Sequence, residues 1–422
     1  MPARDRVKDS AFAALVAFVI AIPLVGFQLV DTEGGVVVGT RFTWVAIAVA
    51  AVFFGRLGLG LLQRAQRGVR PAPRVTPFAP YIRWLGWCGL AAALVFPFLP
   101  FSSIYLVDLA TNVLIYVLLG WGLNIVVGLA GLLNLGYAAF YAVGAYTVAL
   151  TTQDLGLGFW EALPIAGLFA ALVGILLALP ILRLRGDYLA IVTLGFGEIV
   201  RIVLLNWTSL TGGPNGIVNI PRPTFFGLPL TASAPRGSET FAQFFGIPFS
   251  AAQRVTFLYF IILALALVAN VIILRLRRLP VGRAWEALRE DEIACRALGI
   301  NPTTVKLSAF SLGALFAGFA GAFFAARLNF VSPESFGFPE SATVLAIVVL
   351  GGMGSQLGIV LAAAILVTLP EVGQNIGAGF VQFRMLLFGA AMVAIMVWRP
   401  RGLLSLRAPS IRLGERAGEA AP

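Results

Sequence analysis

Along most of this chain, apolar residues run almost unbroken, pause for a short polar stretch, and resume. A run of about 20 apolar residues forms a helix long enough to cross the hydrocarbon of a bilayer. Such runs predict helices at Ser10–Val30, Arg41–Leu62, Trp84–Pro100, Asp108–Leu129, Leu132–Thr151, Ala162–Leu182, Tyr188–Leu205, Arg254–Leu274, Leu307–Arg327 and Val381–Trp398. Ser341–Gly351 and Leu357–Pro370 are each short for a full span, and Gly351-Gly352-Met353-Gly354 separates them. They predict either a tight hairpin or a pair of broken half-helices. The pattern therefore predicts an all-α, polytopic transmembrane bundle of about 10–12 membrane segments.

One polar stretch differs from the rest. Arg275–Lys306 lies between two long apolar runs, and Pro280 and Gly282 break the preceding helix. Arg283–Leu298 then reads as one short, separate helix, with Ala284, Ala287, Leu288, Ala294, Cys295 and Leu298 on a narrow apolar face. Arg283, Glu286, Arg289, Glu290, Asp291, Glu292 and Arg296 supply its charge, and Glu286–Arg289 and Glu292–Arg296 have the spacing of ion pairs along a helix. Gly299 suits the left-handed position that ends a helix, and Pro302 opposes an immediate restart. A short helix of this kind between two spans either lies in the lipid headgroups or offers a surface for another protein to grip.

Composition and charge narrow the class. Hydrophobic residues make up 59% and charged residues 12% of the 422 residues, and the mean hydropathy is +0.93. The net charge of +11 comes almost wholly from arginine, since Lys8 and Lys306 are the only lysines. These arginines border apolar spans, which points to a membrane surface and not to nucleic acid. With both termini inside, the N-terminus, the proline-rich Gln63–Arg83 linker, Arg183 and Arg185, the 275–306 loop and the tail hold 22 of the 30 basic residues. Thr152–Glu161 has acids and no basic residue, so it faces outward, and the long Asn206–Gln253 loop lies outside as well, with Thr211–Gly216 as turns. The first apolar run is read as a retained span because no small-residue cleavage site follows it. The resulting units are 1–83 (two spans and a basic cytoplasmic linker), 84–406 (the core, with 275–306 as its cytoplasmic loop) and 407–422 (a cytoplasmic tail).

Several chemistries are excluded. There is no histidine, and Cys88 and Cys295 stand far apart, so no metal site or disulfide framework is predicted, and no cofactor motif is present. Neither lysine follows a phosphate-binding loop, so the chain does not hydrolyse ATP by that route and is not read as an enzyme. The ionisable relay of a proton-driven carrier is also missing. The polar groups inside the spans are few. Glu198 and Arg201 stand three apart and can neutralise each other, or line a path for an amino acid. Asn124, Asn134 and Tyr137 need partners, across helices or along a polar passage. Gly313, Ala317 and Gly321 form a run of small residues suited to close helix packing.

The stretch GRAWEALREDEIACRALGIN resembles the cytoplasmic coupling loop of ABC-importer permeases. The runs LNIVVGLAGLLNLGYAAFYAVGAY, LRLRGDYLAIVTLGFGEIVRIVLLN, LTGGPNGI, FVSPESFGFPESATVLAIVVLGGMGSQ and WRPRGLL, in this order, resemble the LivM-type permeases of branched-chain amino acid importers. The resemblance spans about Phe78 to Leu406. Many relatives in the wider family carry serine and histidine where this chain has Asn134 and Tyr137. What the resemblance implies is a multi-pass permease of the bacterial inner membrane that carries leucine, isoleucine and valine. Its implied partners are a homologous LivH-like permease, two ATPase subunits gripping the coupling loop, and a periplasmic binding protein. On that reading Arg283, Glu286, Ala287, Arg289, Glu290, Asp291, Glu292, Ala294 and Gly299 carry the ATPase contact, and Asn124, Asn134, Tyr137, Glu198 and Arg201 line the path. A permease of the same family for urea, short amides or other amino acids is the alternative, ahead of a self-sufficient carrier or a structural subunit.

Overall fold

In a computed structural model the described residues are 79–374, except 101, 182–183, 185, 226–227, 229–239, 245 and 247–249, together with 27–32, 35–40, 42–43, 46, 49–50 and 389. The predicted last span and tail lie outside them, as do most of the first two spans and the linker. The N-terminal unit shows an antiparallel hairpin of β1 (Phe27–Thr32) and β2 (Gly35–Thr40), in register from Phe27 opposite Thr40. The predicted first span therefore loses Phe27–Val30, which are strand.

The second unit, from Leu85 onward, is a helical bundle in its described residues. Its long helices are α1 (Ala79–Val95), α2 (Ile104–Leu123), α3 (Ala138–Asp154), α4 (Phe159–Ile181), α5 (Asp187–Asn206), α6 (Ala251–Arg278), α9 (Pro302–Leu328), α10 (Phe338–Gly351) and α11 (Gln356–Gln374). Two short helices, α7 (Pro280–Glu290) and α8 (Glu292–Ala297), join α6 to α9. Every apolar segment predicted within the described bundle is thus a helix, and six of the helices are long and apolar enough to cross a bilayer.

The core is built on α9, which packs against α2, α3 and α4. Small residues permit this, because helices approach in lipid only as closely as their side chains allow. At Gly321 a Cβ would stand 2.2 Å from the Tyr141 carbonyl oxygen, and at Gly318 2.7 Å from that of Ala166. The predicted small-residue run of Gly313, Ala317 and Gly321 is buried along this seam.

Two predicted boundaries change. Helix α3 begins at Ala138, six residues later than the apolar run suggested, because Ala130–Tyr137 is irregular and, apart from exposed Gly131, buried or half-buried between α2 and α3. Irregular backbone is tolerated at membrane depth where protein satisfies its polar groups. Here Leu135 N donates to Thr193 Oγ1 at 3.1 Å and Ala138 N to Ser341 Oγ at 2.9 Å. Before that segment, α2 relaxes into a π-helical turn, Asn124–Leu129. The α10–α11 pair takes the hairpin alternative. Gly351 and Gly358 meet so closely that a Cβ on Gly358 would lie 1.9 Å from the Gly351 carbonyl oxygen.

At the end opposite α7 and α8, the two-residue strands β3 (Ile217–Val218) and β4 (Phe330–Val331) pin part of the long loop to the end of α9. The Thr211–Gly216 stretch is a set of turns, as expected. Gly212, Gly213 and Gly216 all have positive φ there.

Candidate coupling site

Leu279 interrupts the helix that leaves the membrane, and Pro280 starts α7, since proline suits a first helical turn whose N–H lacks a partner anyway. Gly282 breaks nothing. It is buried inside α7, where a Cβ would lie 2.4 Å from the Leu276 carbonyl oxygen, so it lets the chain fold back sharply. Trp285 and Leu288 point into the bundle, and Trp285 Nε1 donates to Ser308 Oγ at 2.9 Å.

The single helix expected over Arg283–Leu298 is instead two. Asp291 takes an extended conformation (φ −157°, ψ 114°), and its carboxylate accepts from the N–H groups of Ile293 at 2.7 Å and Ala294 at 3.1 Å. An aspartate that caps a new helix competes with continuing the old one. The break also splits the predicted apolar face. Leu288 and Cys295 are buried against the bundle, whereas Ala294, Ala297 and Leu298 face solvent with Ile293. Burial pushes the Cys295 thiol up from its ordinary range, with Asp291 and Glu292 adding to the effect, so this thiol stays neutral near pH 7. Gly299 has φ +79° and closes α8, with Ile300 N bonded to the Cys295 carbonyl at 2.9 Å, as the sequence indicated.

Arginines weld this unit to the bundle. Arg277 Nε donates to Glu286 Oε1 at 2.8 Å, and its Nη1 to the Gly354 carbonyl at 3.2 Å. Arg289 donates to the Gly128 carbonyl in the π-helical turn. Gly354 N in turn donates to Asn124 Oδ1 at 2.8 Å. The loop, the π-helical turn of α2 and the α10–α11 turn thus share one hydrogen-bond network. The expected Glu286–Arg289 pair is not formed, because each finds a partner in the bundle or on α6. The expected Glu292–Arg296 pair is formed at 2.7 Å, and buried Lys306 reaches the other Glu292 oxygen at 3.3 Å.

What remains exposed is the outer surface of α8 and its neighbours. Ile293 is 68% and Leu298 79% exposed, beside exposed Arg283, Glu290, Asp291 and Ala294. Two bare aliphatic side chains on a charged loop that hydrogen bonds tie to the bundle make a surface suited to a protein partner. Sequence periodicity missed Trp285, Ser308 and the bond of Arg277 to the Gly354 turn, and it missed Ile293, which lies off the predicted stripe.

The intramembrane candidates are placed as follows. Asn124 is buried on the Gly354 turn. Tyr137 is buried and donates to the Gly313 carbonyl at 2.8 Å, tying α3 to α9. Asn134 is buried, its Oδ1 accepting from Gly136 N at 3.0 Å while its Nδ2 has no partner. Glu198 and Arg201 form the expected ion pair, Arg201 Nη2 lying 2.5 Å and Nε 2.9 Å from Glu198 Oε1, on a half-exposed face of α5. That helix also presents Tyr188, Ile191, Ile199 and Ile202 outward.

Known proteins extend this picture. Residues 105–396 match the family described as the branched-chain amino acid transport system permease component, and residues 5–96 match a domain family of unknown function, DUF3382. The chain is 51% identical over 421 residues to the high-affinity branched-chain amino acid transport system permease protein LivM of Salmonella typhimurium, covering 97% of this chain and 98% of that one. It is likewise 51% identical to the protein of the same name from Escherichia coli, over 97% of each. A probable branched-chain amino acid transport permease protein LivM of Methanocaldococcus jannaschii is 23% identical over 63% of this chain and 74% of its own. No solved structure matches. With a polytopic helical bundle and this likeness over nearly its whole length, the chain belongs to the branched-chain amino acid transport system permease family.

Proposed function

We propose that this chain is the permease subunit of an ATP-driven importer for leucine, isoleucine and valine in the bacterial inner membrane. The observation that carries the reading is the α7–α8 unit, with its bare Ile293 and Leu298 and its arginine bonds to two interior turns. The full-length likeness to LivM proteins supports the substrate class. A separate ATPase grips α8, and its movement on binding and releasing ATP reaches the π-helical turn through Arg289 and the α10–α11 turn through Arg277. Such a ligand shifts the bundle between two states only through its different contacts in each. A second, homologous permease covers the exposed face of α5, and a binding protein delivers the amino acid at the end opposite α8. Catalysis of a bond-breaking step has no place in this account; hydrolysis belongs to the ATPase.

Reconstitution tests this. Vesicles holding the chain with a second permease, ATPase and binding protein take up leucine only with ATP, and uptake stops when this chain is left out. Uptake of urea or an amide with no uptake of leucine would move the assignment within the family. ATP-independent uptake would end it.

The Glu198–Arg201 pair gives a narrower expectation. On an otherwise apolar helix face, each charge is costly to insert without the other, at about 2.5–3.5 kcal/mol on insertion scales. Glu198→Gln and Arg201→Gln each lower the amount of assembled complex, and exchanging the two residues restores much of it. Normal assembly of both single variants, with only leucine affinity changed, would place the pair on the path.

A further inference from the structure

Arginine is unexpected at the end of the bundle opposite the coupling loop, since basic residues concentrate on the cytoplasmic side of membrane proteins. Three nevertheless converge there. Arg222 from the long loop, Arg254 in the first turn of α6 and Arg327 in the last turn of α9 line one cavity of about 150 Å³, with Asp108, Pro223, Val255, Phe257 and Leu258.

Their partners are unequal. Arg327 is fully engaged: its Nη2 and Nε donate to the two Asp108 oxygens at 2.7 and 3.0 Å, and its Nη1 to Asn112 Oδ1 at 3.2 Å. Arg222 and Arg254 have neither a hydrogen bond nor an ion pair among the described residues. Among the described residues that line it, Asp108 is the one carboxylate, so their charged groups sum to +2. Burial first, and then Arg254, hold the Arg222 guanidinium below its ordinary range. The wall is thus short of negative charge, and the rest of it is apolar.

We propose that this cavity binds the carboxylate of a small molecule with an aliphatic body. The guanidiniums of Arg222 and Arg254 take the carboxylate, and Val255, Phe257 and Leu258 face the aliphatic part. Arginine suits this role because its planar fork can meet a carboxylate with two parallel bonds. The volume holds one molecule of amino-acid size. This deepens the proposed function and rests on it: a branched-chain amino acid released at this end meets the site before it enters the membrane.

The test uses the assembled complex in nanodiscs, without ATP or binding protein, and saturation-transfer NMR with leucine, 4-methylpentanoate and 3-methylbutylamine. The acid lacks the ammonium and the amine lacks the carboxylate. Leucine and the acid give transfer, the amine does not, and R222Q/R254Q weakens binding of the acid at least tenfold. Three results would each overturn the site: unchanged binding of the acid to R222Q/R254Q; displacement of the acid by equimolar inorganic phosphate; or, in a separate titration with binding protein added, loss only of affinity for that protein, which would assign the arginines to protein docking. Wild-type leucine uptake is measured in parallel. Uptake without a change in acid binding overturns the site alone, whereas absence of uptake overturns the transport reading.

Discussion

Replacing Ile293 and Leu298 together by aspartate abolishes ATP-driven leucine uptake while the chain still folds and inserts. Both side chains are mostly in solvent, so their loss removes little intrachain packing. If an ATPase covers them, aspartate places two carboxylates in the desolvated centre of that contact. Central apolar anchors are worth about 2 kcal/mol or more each, so the pair lowers the association constant roughly a thousandfold. The ATPase is then lost from the purified complex, and stimulated hydrolysis falls with uptake. Ala294→Trp acts in the same direction by overfilling the contact, since packed interfaces tolerate added volume poorly. Wild-type uptake with a retained ATPase in both variants would leave the short helices as headgroup anchors.

The second large effect is at the helix crossing of the core. A Cβ on Gly144 of α3 would stand 2.2 Å from the Gly318 carbonyl oxygen and 2.4 Å from its Cα, on α9. Those are backbone atoms, so no rotamer change relieves the clash, and α3 and α9 must separate. Because α9 also packs on α2 and α4, the strain spreads through the bundle. Gly144→Ala therefore removes most of the protein from the membrane fraction. Overpacking of this kind costs about 1–3 kcal/mol or more, against the roughly 1 kcal/mol that alanine gains over glycine in helix propensity. Gly89→Ala is the matched control. Nothing lies within 4 Å of its added Cβ, so only the propensity gain remains, and expression is unchanged or higher. Equal membrane levels of the two variants would contradict the α3–α9 seam.

These two sites differ in how legible they were. The small-residue run of Gly313, Ala317 and Gly321 is a local pattern that spacing on one helix exposes directly, whereas the meeting of Gly144 with Gly318 across two helices is not. The apolar runs are local too, which is why each described one is a helix. The loop's charges were legible as a group, and their pairing was not. Glu286 and Arg289 have the spacing of a helix pair, but tertiary partners outcompete it: Arg277 at 2.8 Å and the Gly128 carbonyl. A buried carbonyl left without a donor costs about 1–3 kcal/mol, more than the few tenths of an exposed helix pair. Periodicity also overran Asp291, whose capping role needs an extended backbone that a continuous apolar stripe hides. In the same way the irregular Leu132–Tyr137 reads as span from composition, while the groups that hold it, Thr193 on Leu135 N and Ser341 on Ala138 N, lie far away in sequence. The arginines of the outer cavity come from three separated segments, and no single stretch shows that they meet.

Everything proposed for transport rests on the α8 surface meeting an ATPase. A photoreactive amino acid placed at Leu298 of the assembled complex, in native membrane vesicles, tests this most directly. The expected result is a strong crosslink to the ATPase subunit, whose yield changes between ATP-bound and nucleotide-free conditions as the grip moves. Crosslinks to lipid alone, unaffected by nucleotide, would contradict it.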